Sequence, residues 1–187
     1  MVLGVLIFVA VMGIGLIILG IGIYNALIAL EANTKKAWAN IDVILKQRYD
    51  QIPQLLSICE QYVKYEKEMI DRIMKAREKM VSGKSVAAQA DGLNEVNSAL
   101  GGLLALGENY PELKANENFL NIQTAISDLE ERIADRREFY NDSVNVYNIR
   151  IKQIPDVFFA RLLAYSDKDL FEVQEIEKQI PNLKMNL

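Results

Sequence analysis

VLGVLIFVAVMGIGLIILGIGI, residues 2–23, decides how the rest of the chain is read. From Val2 to Ile23 there is no charged side chain, and the first charge in the sequence is Glu31. As a helix rising about 1.5 Å per residue, the run is about 33 Å long, enough to cross a hydrocarbon core of roughly 30 Å. It predicts a transmembrane helix. A cleaved secretory signal would carry a basic start and a small-residue cleavage site. Here no Lys or Arg precedes the run and no A-x-A pattern follows it, so a retained anchor is expected. Lys35, Lys36, Lys46 and Arg48 all follow the span, which predicts the N-terminus outside and the remainder in the cytoplasm. Gly13 and Gly20 are seven apart, as are Gly15 and Gly22, and such small-residue stripes let membrane helices approach closely. A homo-oligomer is therefore one expectation.

Outward from the span, the chain has 187 residues, leaving about 160 for one soluble-type domain with a real core. The net charge of −4 falls entirely in that remainder, which excludes the basic footprint of a nucleic-acid binder and a polybasic lipid patch. The single cysteine, Cys59, rules out an intrachain disulfide and suits a reducing compartment. There is no histidine, so Cys59 has no imidazole to activate it and a Glu/His dimetal site cannot be assembled. No catalytic motif, phosphate loop, metal site or cofactor is expected.

After Tyr24 the apolar pattern continues. Leu27, Leu30, Ala37, Trp38, Ile41, Ile44 and Leu45 recur at steps of three and four, which predicts a rigid amphipathic stalk. Asp50 as an N-cap and Pro53 in the following turn predict a break over residues 49–52; a single helix kinked at Pro53 is the rival reading. Ile52, Leu55, Cys59, Tyr62, Glu66, Met69, Ile73, Ala76 and Met80 form a second seam that ends near Ser82-Gly83. A short third helix carries Ala87, Leu93, Val96, Leu100, Leu103, Leu104 and Leu106, weakened by Gly101-Gly102 and stopped at Gly107. Glu108 to Pro111 reads as a turn. From Leu113 a long helix places Phe119, Ile122, Ile126, Leu129, Ile133, Tyr140, Val144, Tyr147, Ile151 and Ile154 on one seam, interrupted at Arg136-Arg137. Pro155 bends or ends it, and residues 157–165 add a short helix. Gln-Ile-Pro recurs at Gln51, Gln153 and Gln179 as helix punctuation without a repeat period.

The expected fold is all-α: an N-terminal transmembrane helix over residues 1–23, an up-and-down four-helix bundle over 24–165, and a loosely docked tail over 166–187. Two charges interrupt the cleanest seams: Glu66 either snorkels from a loosely packed position or forms a buried pair with Arg136, with Arg137 as the fallback, because a lone buried charge is costly.

The ordered motifs resemble the LemA family of bacterial membrane-anchored helical proteins. They are Tyr24-Asn25-Ala26-Leu27, Ala37-Trp38-Ala39-Asn40-Ile41-Asp42-Val43, Leu45-Lys46-Gln47-Arg48-Tyr49-Asp50-Gln51-Ile52-Pro53, Tyr110-Pro111-Glu112-Leu113-Lys114-Ala115, and Tyr140-Asn141 through Tyr147-Asn148 to Ile154-Pro155. The sequence departs from the family where Tyr65-Glu66 replaces a frequent His-Glu and Ala164-Tyr165 replaces a usual Gly-aromatic pair. The resemblance implies a short extracellular N-terminus, one membrane helix, a cytoplasmic bundle and no established catalytic activity. Tyr24, Asn25, Trp38, Asn40, Asn141, Asn145 and Asn148 are the candidate contacts of a membrane-tethered scaffold with an unidentified protein partner. A self-associating protein that organises the membrane is the alternative.

Overall fold

The structure, a computed structural model, describes residues 1–62, 67–107 and 109–173. Among them every regular element is a helix: α1 (Val2–Cys59), α2 (Lys67–Ser82), α3 (Val86–Gly107), α4 (Pro111–Lys114), α5 (Glu117–Arg150) and α6 (Asp156–Leu162). The all-α class and the long apolar N-terminal helix are as the sequence predicts. The break over residues 49–52 is not there: α1 runs through Pro53 to Cys59, so the rival single-helix reading is the observed one. A proline inside a helix removes the N–H that would bond the carbonyl four residues earlier, here that of Tyr49. Arg77 of α2 supplies the missing donor, its Nε giving a 2.7 Å hydrogen bond to the Tyr49 carbonyl oxygen while its guanidinium lies 3.3 Å above the centre of the Tyr49 ring. With that acceptor satisfied, the helix has no reason to stop until the turn at residues 60–62, where Gln61 and Tyr62 N–H groups bond the Ile58 and Cys59 carbonyls.

The helices divide between two compact units, and α1 and α5 contribute to both. Unit 1 is Met1–Ile44 with Glu130–Leu170. Residues 1–22 of α1 are exposed throughout except at Gly13 and Gly20, which are half-buried, and burial begins at Ile23. From there the inward face is Ile23, Leu27, Thr34, Ala37, Ile41 and Ile44, the helical spacing read from the sequence. Ile23 and Leu27 pack with Tyr147 and Ile151 of α5 and Ala160 of α6, joined by Leu30, Phe159, Leu163 and Tyr165. Higher on α1, Trp38 meets Tyr140 with ring centroids 5.4 Å apart, so α1 and α5 run antiparallel here. Helix α5 stops at Arg150, and the turn through Pro155 leads to α6, whose buried Asp156 is paired with Arg150. Ile154, predicted on the seam, lies beyond the helix end and is 81% exposed.

Unit 2 is Leu45–Leu129 with Phe171–Leu187, described to Val173. Its core takes Leu45, Ile52, Leu55, Leu56 and Cys59 from α1, Ile73, Ala76 and Met80 from α2, Ala90, Leu93, Val96, Ala99, Leu100 and Leu103 from α3, and Phe119, Ile126 and Leu129 from α5. Helices α2 and α3 form an antiparallel hairpin so close that a Cβ on Gly92 would lie 2.5 Å from the Met80 backbone. Ser85 starts α3, its Oγ accepting the Ala88 N–H at 3.1 Å. The long last helix begins at Glu117 rather than at Leu113, because Asn116 accepts the Phe119 N–H through Oδ1 and donates through Nδ2 to the Tyr62 hydroxyl. Leu113 is instead the buried residue of the single-turn α4.

The predicted Glu66–Arg136 pair falls partly outside what the structure describes. Glu66 lies outside the described residues, and Arg136 is exposed, because the seam steps from Ile133 to Tyr140 past a half-buried Arg137.

Candidate functional site

In unit 1, Tyr140 and, two turns on, Tyr147 with the adjacent half-buried Asn148 lie toward the inner side of α5, and the chain after α6 returns across them. Helix α6 closes with Tyr165 N–H bonding the Ala160 carbonyl at 2.9 Å and Ala164 N–H bonding that of Arg161 at 3.1 Å. This Schellman closure puts Ala164 at φ 54°, a left-handed conformation that suits glycine, at the position where the sequence departs from a Gly-aromatic pair. Residues 165–173 are then irregular and held by side chains. Asn148 both donates to the Lys168 carbonyl and accepts from the Lys168 N–H, each at 2.9 Å; the Tyr140 hydroxyl donates to the Asp169 carbonyl at 3.0 Å; Lys152 pairs with Asp167 at 2.9 Å. Phe171 is fully buried in unit 2. Residues 167–169 are thus tied to α5 and the turn that follows it by side-chain bonds.

Charge collects around the same strap. Glu31 of α1 bonds Lys35 at 2.8 Å and lies 3.3 Å from the Tyr165 hydroxyl, while Lys168 sits 5.0 Å above the Tyr147 ring. The hydrogen bond from Lys35 holds the Glu31 carboxyl below its ordinary value, against the opposing effect of burial. Burial, reinforced by nearby carboxylates, pushes the Tyr147 and Tyr165 phenols up, and burial does the same at Tyr140. These tyrosines are neutral hydrogen-bonding and packing groups.

The sequence-predicted residues sort into two roles. Tyr24, Asn25, Asn40 and Asn145 are exposed in unit 1; Trp38, Asp42, Asn141 and Asn148 are half-buried; Tyr140 and Tyr147 are buried. Pro155 precedes α6 on the surface. The motif residues Arg48, Tyr49, Pro53, Tyr110 and Pro111 belong to unit 2, where Arg48 is fully buried, Tyr49 lies under Arg77, and Pro111 opens α4. Tyr140, Tyr147 and Asn148 thus pack or bond within unit 1. Tyr49 and Arg77, with Asp71, Met74, Lys75 and Glu78, also border an open depression of about 510 Å³. Of the glycines in the span, Gly13, Gly15 and Gly22 face open space, and Gly20 is covered by the Phe159 ring. Arg77 and Lys168 were not among the expected residues. A proline in an otherwise unbroken apolar pattern does signal an orphaned carbonyl, but not which distant side chain answers it.

Burial pushes the Cys59 thiol up to about 11, so it is inert at neutral pH. No group of three His, Cys, Asp or Glu suited to a metal ion occurs among the described residues.

The family model described as "LemA family" matches residues 37–185. Similar curated proteins include Magnetosome protein MamQ 1 and Magnetosome protein MamQ 2 of Paramagnetospirillum magneticum, each 32% identical over 92 residues, covering 49% of this chain and 33% of the relative. Magnetosome protein MamQ of Magnetospirillum gryphiswaldense is 32% identical over 74 residues, or 40% of this chain and 27% of the relative. The matched stretch thus spans a third or less of each relative's length.

Proposed function

The chain belongs to the LemA family, and from that premise we propose that it is a membrane-anchored interaction module whose α5 surface receives a protein partner. It is a membrane-associated helical protein: one exposed apolar helix long enough to cross a bilayer leads into a helical domain. The observation that carries the reading is an apolar stripe on the outer side of α5. Phe139, Val146 and Ile149 are 56%, 54% and 58% exposed, at a spacing that aligns them on one face, next to the exposed Asn145. Their helix already seals its inner face with Tyr140, Val144 and Tyr147, so the stripe is surplus to the core. Such a face fits an amphipathic partner helix.

We read the module as non-catalytic, supported by the absence of histidine from the sequence and the inert thiol. The N-terminus outside and the helical domain in the cytoplasm is the topology favoured by Lys35 and Lys36 after the span. Because the magnetosome relatives match over so little of their own length, their role is not transferred to this chain. Self-association is the second reading, favoured by the open faces of Gly13, Gly15 and Gly22.

A photo-crosslinking residue at Val146 in native membranes tests the proposal. One dominant heterologous product, lost when Phe139 and Ile149 are changed to Glu, is expected. Products of twice the chain mass, or labelling indifferent to those charges, would transfer support to self-association or to no partner at this face.

A further inference from the structure

We propose that the tip of unit 1, Ile154 with Phe158 and Leu162 of α6, dips into the bilayer beside the base of α1 as a second membrane contact. The occupant of this face is lipid. Three large apolar side chains stand there at steps of four residues, 81%, 64% and 82% exposed, on a tip that a water-facing domain would not leave bare. Their position relative to the membrane follows from Phe159. Its ring reaches within 3.2 Å of where a Gly20 Cβ would stand, inside the uncharged run, and Phe159, Leu163 and Ala160 pack around Ile23 and Leu27. The tip therefore lies level with the last turns of the span and not above them. The span beside it exposes Leu16, Ile17, Leu19 and Ile21, so large apolar side chains are bare on both elements. Phe158 and Phe159 are neighbours on α6, one turned to the span and the other outward.

The charges at the tip suit that depth. The buried Asp156 carboxylate is paired with Arg150, so no bare anion enters the apolar layer. Exposed Arg161 has a stem long enough to lift its cation to the headgroups, and Lys152, paired with Asp167, stands at the same rim. Aromatic and aliphatic side chains under a rim of cations are the arrangement of an interfacial element buried about 5–10 Å into the headgroup boundary.

The proposal rests on α1 crossing the membrane, and the test separates the two. The full chain is labelled with an environment-sensitive dye at Phe158→Cys, at Phe139→Cys as the control far up α5, and at Ile17→Cys within the span, then reconstituted into phosphatidylcholine–phosphatidylglycerol vesicles. Cys59 is buried and stays unlabelled. The Phe158 dye is expected to shift to the blue, to be quenched by lipids with nitroxides near the headgroup, and to be shielded from aqueous iodide, while the Phe139 dye responds to iodide alone. Iodide quenching at Phe158 with lipid quenching at Ile17 would overturn the proposal and leave the span intact. Shielding of Phe158 from iodide and lipid alike would mean a protein occupant and also overturn it. No lipid quenching at Ile17 would remove the span and the proposal together.

Discussion

Pro53, Tyr49 and Arg77 show how one distant side chain changes what a local pattern means. The Arg77 guanidinium serves a carbonyl that a proline has stripped of its partner, so Arg77→Met leaves a partly buried acceptor unsatisfied and is expected to cost about 1–3 kcal/mol. Pro53→Ala returns a local N–H to that carbonyl. In the Pro53→Ala background the Arg77→Met penalty should shrink by about 1 kcal/mol or more, read from urea melts of the two single variants and the double. Strictly additive penalties would refute the coupling. Ala164 is the opposite kind of residue, one that the backbone tolerates at a cost. At φ 54° an alanine is strained by about 1–2 kcal/mol, and Ala164→Gly should raise the melting temperature with the helix-closing bonds intact. An unchanged or lower midpoint would mean that the added backbone freedom of glycine in the unfolded chain outweighs the relief.

Between elements, contact distance decides what a glycine means. Gly92 and Gly101 both lie in α3, and by helix propensity alone each should gain from becoming alanine. Gly101 faces open space, so Gly101→Ala should stabilise by up to about 1 kcal/mol. Gly92 touches the α2 backbone, which cannot swing aside as a side chain could. Gly92→Ala should therefore destabilise by about 1–3 kcal/mol, and equal effects of the two substitutions in chemical denaturation would disprove the close approach. The strap after α6 is governed differently, since the side chains of Asn148 and Tyr140 hold its backbone. Asn148→Ala should cost about 1–2 kcal/mol and speed hydrogen exchange at the Lys168 amide; unchanged protection there would show that Asn148 is not the anchor.

Across the whole molecule, the apolar periodicities were legible because burial follows them residue by residue. Ile23 through Ile44 and Phe119 through Ile151 recur at helical steps and are buried or half-buried at those steps. What was not legible depends on partners far along the chain. The predicted break at residues 49–52 failed through Arg77, and the strap could not be read because its anchors bond its backbone, which carries no residue signature. The gap in the α5 seam was ambiguous because steps of three and four from Ile133 reach both Arg136 and Arg137, and only the packing turns Arg136 outward. Of the candidate motif residues, Tyr140 and Tyr147 are buried in unit 1 and Asn148 is bonded to Lys168 there. Acid should loosen that unit through Glu31. Its folded pKa is lowered, so the unfolded chain binds more protons, and the stabilisation present above the ordinary carboxylate range is lost as pH falls through the lowered value. Glu31→Gln should flatten the acid side of a melting-temperature profile; an identical slope in both proteins would assign the loss elsewhere.

Cys59 carries a consequence of a different kind. Fully buried, with its thiol pushed up to about 11, the chain's single sulfhydryl is withheld from both oxidants and exchange partners. The folded protein is in that sense blind to redox surroundings. The same covalent structure would persist in an oxidising or a reducing space, so a solitary cysteine that looks like the mark of a compartment is here only a small apolar side chain filling its place.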